Sequence, residues 1–303
     1  MLNTRHLPTK SLPFLLLSTI TMCCDGEGLL LVQKVSELYH KISTLQSLQP
    51  SKHVNSLFSQ LVLTCTPPPP PPPSPPLIDV SNLSSTVQTM RSHLIKLCGQ
   101  AEGLLEHHYS TILASHQNPL DHLSLFPYYS NYLKLTHLEF SILTRYISSS
   151  PPSKVAFIGS GALPFSSIIM ALKYLPTTEF HNFDVDSSAN AKAMALVASD
   201  VDLSKRMLFH TTDIMDVTSN MLREFEVVFL AALVGMEKEE KVKVIEHLRK
   251  NMTSGSLLML RSAYGARAFL YPVVEASDLR GFEILTTFHP TDDVVNSIVL
   301  ARL

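Results

Sequence analysis

The stretch VAFIGSGALPFSS at residues 155–167 joins a short apolar run to a glycine-rich turn and a new helical pattern. An apolar run of this length before such a turn is typical of a buried strand. Gly159 and Gly161 lack a Cβ, so the backbone can turn sharply there and approach a ligand closely. Pro164 stands where dinucleotide-binding proteins carry a third glycine, which favours a nucleoside without a pyrophosphate. The stretch predicts the first strand, turn and helix of a Rossmann-like domain.

Strand and helix patterns alternate from this turn onward, which predicts a doubly wound α/β sheet in residues 148–303. Further strands are predicted at 180–184, 207–210, 227–231, 257–260, 283–288 and 297–301. Helices are predicted from the turn through Leu175, from Ser187 to about Ser199 and from Glu237 to Lys250. The ligand crevice of such a sheet lies at the carboxyl ends of its first strands.

Acidic residues follow the second and third predicted strands. Asp184 is expected to accept hydrogen bonds from the ribose hydroxyls of a nucleoside, and Asp213 to bind an adenine amino group. Asp186 is the alternative ribose ligand, although a helix cap or turn is the more usual role of such an aspartate. The predicted ligand-binding set is therefore Gly159, Ser160, Gly161, Asp184 and Asp213.

Residues 25–147 carry helical periodicity throughout and predict an all-α bundle domain. The apolar positions repeat at helical spacing in 31–45, after a Ser51 cap, in 83–105 and in 135–143. The proline-rich segment 66–76 predicts a stiff polyproline II connector, with a ligand for a proline-reading domain as the alternative. Residues 1–24 are predicted to be an extension, with a targeting segment as the alternative.

The composition is that of a soluble globular protein, with 45% hydrophobic residues and a formal net charge of −2 in 303 residues. This balance predicts no nucleic-acid partner, and no apolar stretch is long enough to predict a membrane span. The four cysteines form no C-x-x-C pair, which favours reduced thiols and a cytoplasmic location. Without paired cysteines or an H-E-x-x-H motif, no protein metal site is predicted.

Four stretches together resemble one known family: NPLDHLSLFPYYSNYLKLTHLEF, VAFIGSGALPFSS, FEVVFLAALVGMEKEEK and LRSAYGARAFLYP. In this order they are similar to nicotianamine synthase of the plant type, over about residues 28–303. The resemblance implies a helical bundle capping a Rossmann-like domain that binds S-adenosylmethionine. It also implies a transferase that condenses the aminocarboxypropyl groups of three S-adenosylmethionine molecules into nicotianamine and releases three methylthioadenosines. S-adenosylmethionine is then the substrate, with no separate cofactor, and the product chelates metals such as iron and serves metal homeostasis.

The implied reaction requires a base, because the attacking α-amine arrives as an ammonium ion. Glu102 and Glu106 lie four residues apart on one side of a predicted helix, and their mutual repulsion would raise one pKa. Either could be the base, while a solvated helix face is the ordinary role of such a pair.

Tyr128, Tyr129 and Tyr132 are candidates to hold the sulfonium by cation–π attraction or to orient the amine, with core packing as the alternative. Arg261 or Lys134 could bind a substrate carboxylate.

Two other functions are consistent with the sequence. The first is a methyltransferase with an unknown acceptor, which would release S-adenosylhomocysteine rather than methylthioadenosine. The second is an inactive S-adenosylmethionine-binding protein that interacts with partners through its proline run, and it would release neither compound. A homo-oligomer is left open by the sequence.

Overall fold

The computed structural model describes residues 26–66, 78–147 and 150–303. The predicted extension at 1–24, the proline run at 67–76 and residues 148–149 at the predicted boundary lie outside the described residues. Their assignments stay predictions, as does the division of the chain at residues 147 and 148. No helix among the described residues combines the length and the apolar character that a membrane span requires.

The described N-terminal residues form α1 (Gly26–Ser43), α2 (Lys52–Cys65), α3 (Ser85–Ala114) and α4 (Tyr129–Leu143). Short 3₁₀ turns at Val80–Asn82 and Pro119–Leu125 precede α3 and α4. The apolar stripe predicted for α1 is buried at Leu31, Val35, Leu38 and Ile42. Ser51 caps α2 as predicted, since its Oγ accepts a hydrogen bond from the Val54 amide at 3.2 Å.

Helix α3 lies against the C-terminal half along much of its length. It continues to Ala114, beyond the last position of the predicted apolar pattern. Near its start, Arg91 Nε donates to the carbonyl of Ala268 at 2.6 Å. Near its end, Ser110 Oγ donates to the carbonyl of Ala162 at 2.6 Å. These contacts hold the middle of α3 over the turn that follows the first strand.

The described C-terminal residues contain a seven-stranded sheet in the order β3-β2-β1-β4-β5-β7-β6. The strands are β1 (Lys154–Ile158), β2 (Glu179–Asp184), β3 (Met207–Thr211), β4 (Val227–Leu230), β5 (Leu257–Ser262), β6 (Glu283–Phe288) and β7 (Ser297–Arg302). Strands β1 to β5 are parallel, whereas β7 is antiparallel to both β5 and β6. The predicted doubly wound sheet is confirmed. Because β7 runs antiparallel to β5, the start of β7 lies at the carboxyl end of β5.

The helices of this half are α5 (Phe165–Ile169), α6 (Ser187–Val197), α7 (Leu203–Arg206), α8 (Ser219–Leu222) and α9 (Lys238–Asn251). The helix predicted to run through Leu175 is present, and its second half is a π-helical turn at Met170–Tyr174 that ends at Leu175. There the Leu175 amide donates to the carbonyl five residues earlier, at 2.8 Å. One wide turn leaves too little periodicity in the sequence to be distinguished from α-helix.

One apolar core runs from the sheet into the bundle. Phe157 of β1 stacks on Phe229 of β4 with ring centroids 4.2 Å apart. Phe165, at the start of α5, stacks on Phe126, just before α4, at 6.0 Å. Leu143 of α4 belongs to the same buried cluster. This shared core fixes α4 over the same edge of the sheet as α3.

Candidate active site

A cavity of about 600 Å³, the main cavity, lies where α3 and α4 cover the carboxyl ends of the parallel strands. This is the edge at which ligands bind in open α/β sheets. Its wall includes Gly99, Glu102, Gly103, Glu106, Tyr132, Glu139, Gly159, Ser160, Gly161, Asp184, Asp213, Arg261, Tyr271 and Asn296. Both halves of the chain therefore contribute side chains to one cavity, whose volume is in the range of small-molecule sites.

The glycine turn forms the floor of the main cavity. Gly159 and Gly161 have φ values of +77° and +69°, a region that L-residues with a Cβ rarely adopt. A Cβ on Gly161 would overlap the carboxylate of Glu106, and one on Gly159 would overlap the side chain of Val234. Both positions thus require glycine for conformation and for space. Ser160 also lines the cavity.

Asp184 ends β2 and lies in the wall beside the turn. Its Oδ2 accepts a hydrogen bond from the Gly161 amide at 2.8 Å, and its Oδ1 accepts from the Asp186 amide at 2.9 Å. A carboxylate oxygen has a second lone pair, so Asp184 can still accept from a ligand hydroxyl.

Asp213 lines another part of the wall, where its carboxylate accepts from the Met215 amide at 2.9 Å. Asp186 caps α6 by accepting from the Ser188 amide and also contacts His107 Nε2 at 3.1 Å. It is absent from the residues that line the main cavity.

Glu102 of α3 is held by two phenols. Its Oε1 accepts from the Tyr132 hydroxyl at 3.1 Å, and its Oε2 accepts from the Tyr271 hydroxyl at 2.9 Å. Burial raises the pKa of Glu102, while the two phenols and the nearby charge of Arg261 act in the opposite direction. These opposed effects leave a carboxylate that is more basic than an exposed glutamate and fixed in orientation.

Glu106 lies one turn further along α3, against the glycine turn. Burial raises its pKa well above the ordinary value, and the charges of Glu102 and Asp184 raise it further, against the effect of the Leu163 and Ala162 amides. The repulsion expected from the spacing of the two glutamates is present, but burial is the larger cause. A proton is therefore retained on Glu106 more strongly than on an exposed glutamate.

The three candidate tyrosines occupy different places. Tyr132 lines the main cavity, and the guanidinium carbon of Arg261 lies 6.0 Å from its ring centroid. Tyr128 lines a second, smaller cavity. Tyr129 lines neither cavity and packs edge-on against Phe165 at 5.4 Å. Positions 128 and 132 share a helix side because they are four residues apart, whereas position 129 points about 100° away.

Arg261 is the penultimate residue of β5, lies in the wall of the main cavity and is held by a buried partner. Its Nε and Nη2 donate to the two carboxylate oxygens of Glu139 at 2.7 and 3.1 Å, and Nη2 also donates to Ser166 Oγ. Burial opposes the charge on Arg261, yet Glu139 outweighs burial and holds the pKa of the guanidinium above its usual value. Lys134 is instead exposed, outside both cavity walls, and pairs with Asp293 at 2.6 Å.

A second cavity of about 220 Å³ lies next to the main cavity and is lined mostly by the bundle. Its wall is largely apolar and includes Phe58, Leu105, Phe126, Tyr128 and Leu135. Of the residues that the structure describes, four line both cavities: Glu102, Tyr132, Tyr271 and Asn296. The hydrogen-bonded Glu102 cluster thus stands at the junction of the two spaces.

Comparison with known families gives a match to the nicotianamine synthase protein family over residues 24–303. The chain belongs to the nicotianamine synthase family. The nicotianamine synthase of Solanum lycopersicum is 60% identical over 271 residues, which cover 89% of this chain and 83% of that protein. Nicotianamine synthase 1 of Arabidopsis thaliana is 58% identical over 284 residues, with 93% and 86% covered. The resemblance inferred from the four sequence stretches is confirmed.

Solved structures extend the likeness to the fold. A mutant of MtNAS in complex with S-adenosylmethionine matches with a TM-score of 0.72 at 20% identity, over 89% of this chain and 97% of that chain. MtNAS in complex with MTA and tNA matches with a TM-score of 0.73 at 20% identity, over 92% and 98%. The chain, with its predicted combination of a helical bundle and a Rossmann-like domain, therefore shares its fold with these MtNAS structures.

Residues of the wall that the sequence reasoning missed include Glu139, Tyr271 and Asn296. Tyr271 and Glu139 lie within stretches that carry the family resemblance, so those motifs contained a signal for them. Asn296 lies outside every quoted motif, and nothing in its local sequence indicates a site. Among the described residues, no group of three or more His, Cys, Asp and Glu side chains is placed to hold a metal ion.

Proposed function

We propose that this protein synthesises nicotianamine from three molecules of S-adenosylmethionine and releases three methylthioadenosines. Membership of the family and 60% identity to a nicotianamine synthase support this assignment. The observation that carries it is Glu102, a carboxylate oriented by two phenols in a cavity that also contains the glycine turn. S-adenosylmethionine is the substrate of this reaction, and no separate cofactor takes part.

The turn and the acidic strand ends bind the adenosyl group. Gly159, Ser160 and Gly161 allow the backbone to approach the nucleoside, and Asp184 accepts hydrogen bonds from its ribose hydroxyls. Asp213 accepts a hydrogen bond from the adenine amino group. The aminocarboxypropyl chain, and not the methyl group, then faces α3.

Glu102 is the general base of each condensation. It removes a proton from the α-ammonium of the acceptor, and the freed amine attacks the γ-carbon of the donor. The new C–N bond forms as the C–S bond breaks, and the electron pair leaves with sulfur as neutral methylthioadenosine. The phenols of Tyr132 and Tyr271 keep the carboxylate pointed at the amine.

Two further groups stabilise the substrate. The face of Tyr132 attracts the sulfonium, an interaction worth about 1–2 kcal/mol where water is excluded. Arg261 is held on one edge by Glu139 and binds a substrate carboxylate with its remaining Nη1. Tyr128 contacts the growing chain from the second cavity, and Tyr129 supports Phe165 beneath the turn.

Incubation of the purified protein with S-adenosylmethionine alone tests the function. Mass spectrometry should detect nicotianamine with methylthioadenosine in a ratio of one to three. Release of S-adenosylhomocysteine in the presence of an acceptor extract would instead indicate a methyltransferase. If binding is retained without either by-product, the protein is an inactive relative.

We also propose a cytoplasmic location, because Cys65 and Cys98 are unpaired thiols in the described structure. Fractionation of cells that express the tagged protein would test it. The homo-oligomer left open by the sequence stays a prediction, which sedimentation equilibrium would test.

A further inference from the structure

Asn296 is a buried amide with an unused donor. The residue lies just before β7 and is 7% exposed, and it lines both the main and the second cavity. Its Nδ2 has no hydrogen-bond partner among the described residues. A buried donor without a partner costs free energy, and such groups are rare in native proteins unless a ligand or water satisfies them.

The topology places this amide beside the reacting groups. Ser297, the next residue, pairs with Ser262 at the end of β5, one residue after Arg261. In the shared wall, Asn296 stands with Glu102, Tyr132 and Tyr271. Both phenols already donate their protons to Glu102. Asn296 is therefore the donor of this group of four that is still available to a ligand.

We propose that Asn296 donates a hydrogen bond to the α-carboxylate of the substrate whose amine faces Glu102. An amino acid end presents an ammonium and a carboxylate on one carbon, so its recognition needs an acceptor and a donor close together. Glu102 is the acceptor, and the amide of Asn296 is a donor that adds no charge to compete with it. This inference rests on the proposed function and adds a carboxylate-binding residue to it.

Calorimetry with two unreactive ligands tests the inference. S-adenosylhomocysteine and its decarboxylated counterpart differ in the α-carboxylate alone, and neither contains a sulfonium that could be consumed. The wild-type protein should bind the carboxylate-bearing ligand more tightly. Asn296→Ala should reduce this preference roughly 10- to 100-fold, because a hydrogen bond to a charged group has that worth. The decarboxylated ligand should bind both proteins equally.

Lys134→Ala is the matched control. Lys134 is exposed and pairs with Asp293, which lies with Asn296 in the segment between β6 and β7. It should keep the wild-type preference. Methylthioadenosine has no carboxylate and reports an intact adenosyl site in each variant; if Asn296→Ala loses it, Asn296→Ser replaces that variant. Equal weakening of both ligands by the Asn296 variant, or no weakening, would overturn the inference. A wild-type protein that binds none of the three ligands would overturn the proposed function instead.

Discussion

The two glutamates of α3 differ in their neighbours although they lie on one side of the same helix. Glu102 receives hydrogen bonds from two phenols and lies near Arg261, whereas Glu106 faces the glycine turn with Asp184 nearby. A positive neighbour lowers the pKa of a carboxyl group and a negative one raises it. Glu102 can therefore lose its proton at a lower pH than Glu106, which supports the proposal that Glu102 is the base.

We expect Glu102→Gln to lower kcat by at least about 100-fold, the usual contribution of a general base. Glu106→Gln should have a smaller effect, because Glu106 retains its proton. Quantifying nicotianamine by mass spectrometry checks both variants, and methylthioadenosine binding by calorimetry controls for an intact site. Equal rates in the two variants would contradict the assignment of the base.

The same assignment fixes the direction of the pH dependence. Since burial raises the pKa of Glu102, the base is lost as pH falls through a value above that of an exposed glutamate. The rate should therefore rise with pH across this raised pKa, and the residual rate of Glu102→Gln should not. A pH–rate profile of both proteins measures this difference.

The two glycines of helix α3, Gly99 and Gly103, differ in what surrounds them. A Cβ on Gly99 would come within 3.2 Å of Met236 Sδ, so this position allows the helix to approach the segment after β4. A Cβ on Gly103 would meet nothing within 4 Å, yet Gly103 lines the main cavity. Glycine in a helix interior is destabilising by roughly 0.5–1 kcal/mol relative to alanine. The empty space at Gly103 is thus available to substrate.

Gly103→Ala should stabilise the protein by roughly 0.5–1 kcal/mol and lower kcat/KM, because its methyl group occupies substrate space. Thermal unfolding and steady-state kinetics measure the two effects. Gly26→Ala, at the first residue of α1 and away from both cavities, is the kinetic control and should leave kcat/KM unchanged. A rise in stability with unchanged kinetics would show that substrate does not use this space.

Helix α9 anchors the end of β4 through a buried lysine. Lys241 is 2% exposed, and its Nζ donates to the carbonyls of Ala231 and Ala232 at 3.2 and 2.9 Å. Burial lowers its pKa from 10.5 to about 7. The unfolded chain therefore binds one more proton than the folded protein between these two values, so Lys241 makes the free energy of unfolding rise with pH there.

We expect the free energy of unfolding of the wild type to rise relative to Lys241→Met as pH increases from 7 to 10. The limiting slope is about 1.4 kcal/mol per pH unit. Urea denaturation across this range checks it. Lys250→Met replaces an exposed lysine of the same helix and should follow the wild type. Parallel curves for all three proteins would show that Lys241 stays charged.

The bundle and the sheet stabilise each other through their shared apolar core. Phe126 of the bundle is 2% exposed and stacks on Phe165 of the sheet half. The same buried cluster reaches from Leu143 to Phe229. Opening the cavity would separate Phe126 from Phe165, so the cavity and the shared core both require the bundle to stay packed on the sheet half.

Phe126→Ala should destabilise the protein by about 3–5 kcal/mol, and the loss should reach both halves. Hydrogen exchange measured by mass spectrometry should show equal reductions in protection for α4 and β1. Phe288→Ala removes a ring that is 42% exposed and is the control with little expected effect. Reduced protection in α4 alone would show that the bundle opens independently of the sheet.

Local sequence determined the strand, turn and helix around Gly159, the acidic strand ends and the pair of glutamates on α3. Periodicity, backbone conformation and four-residue spacing are properties of neighbouring residues, and they need no knowledge of the rest of the fold. Tertiary structure decided which candidates enter the cavity. It excluded Lys134 and Tyr129 from the wall and brought Tyr271 to Glu102 across 169 residues of chain. Asn296 lies there because β7 runs antiparallel beside β5. Long-range packing determines this strand pairing, which leaves no local pattern in the sequence.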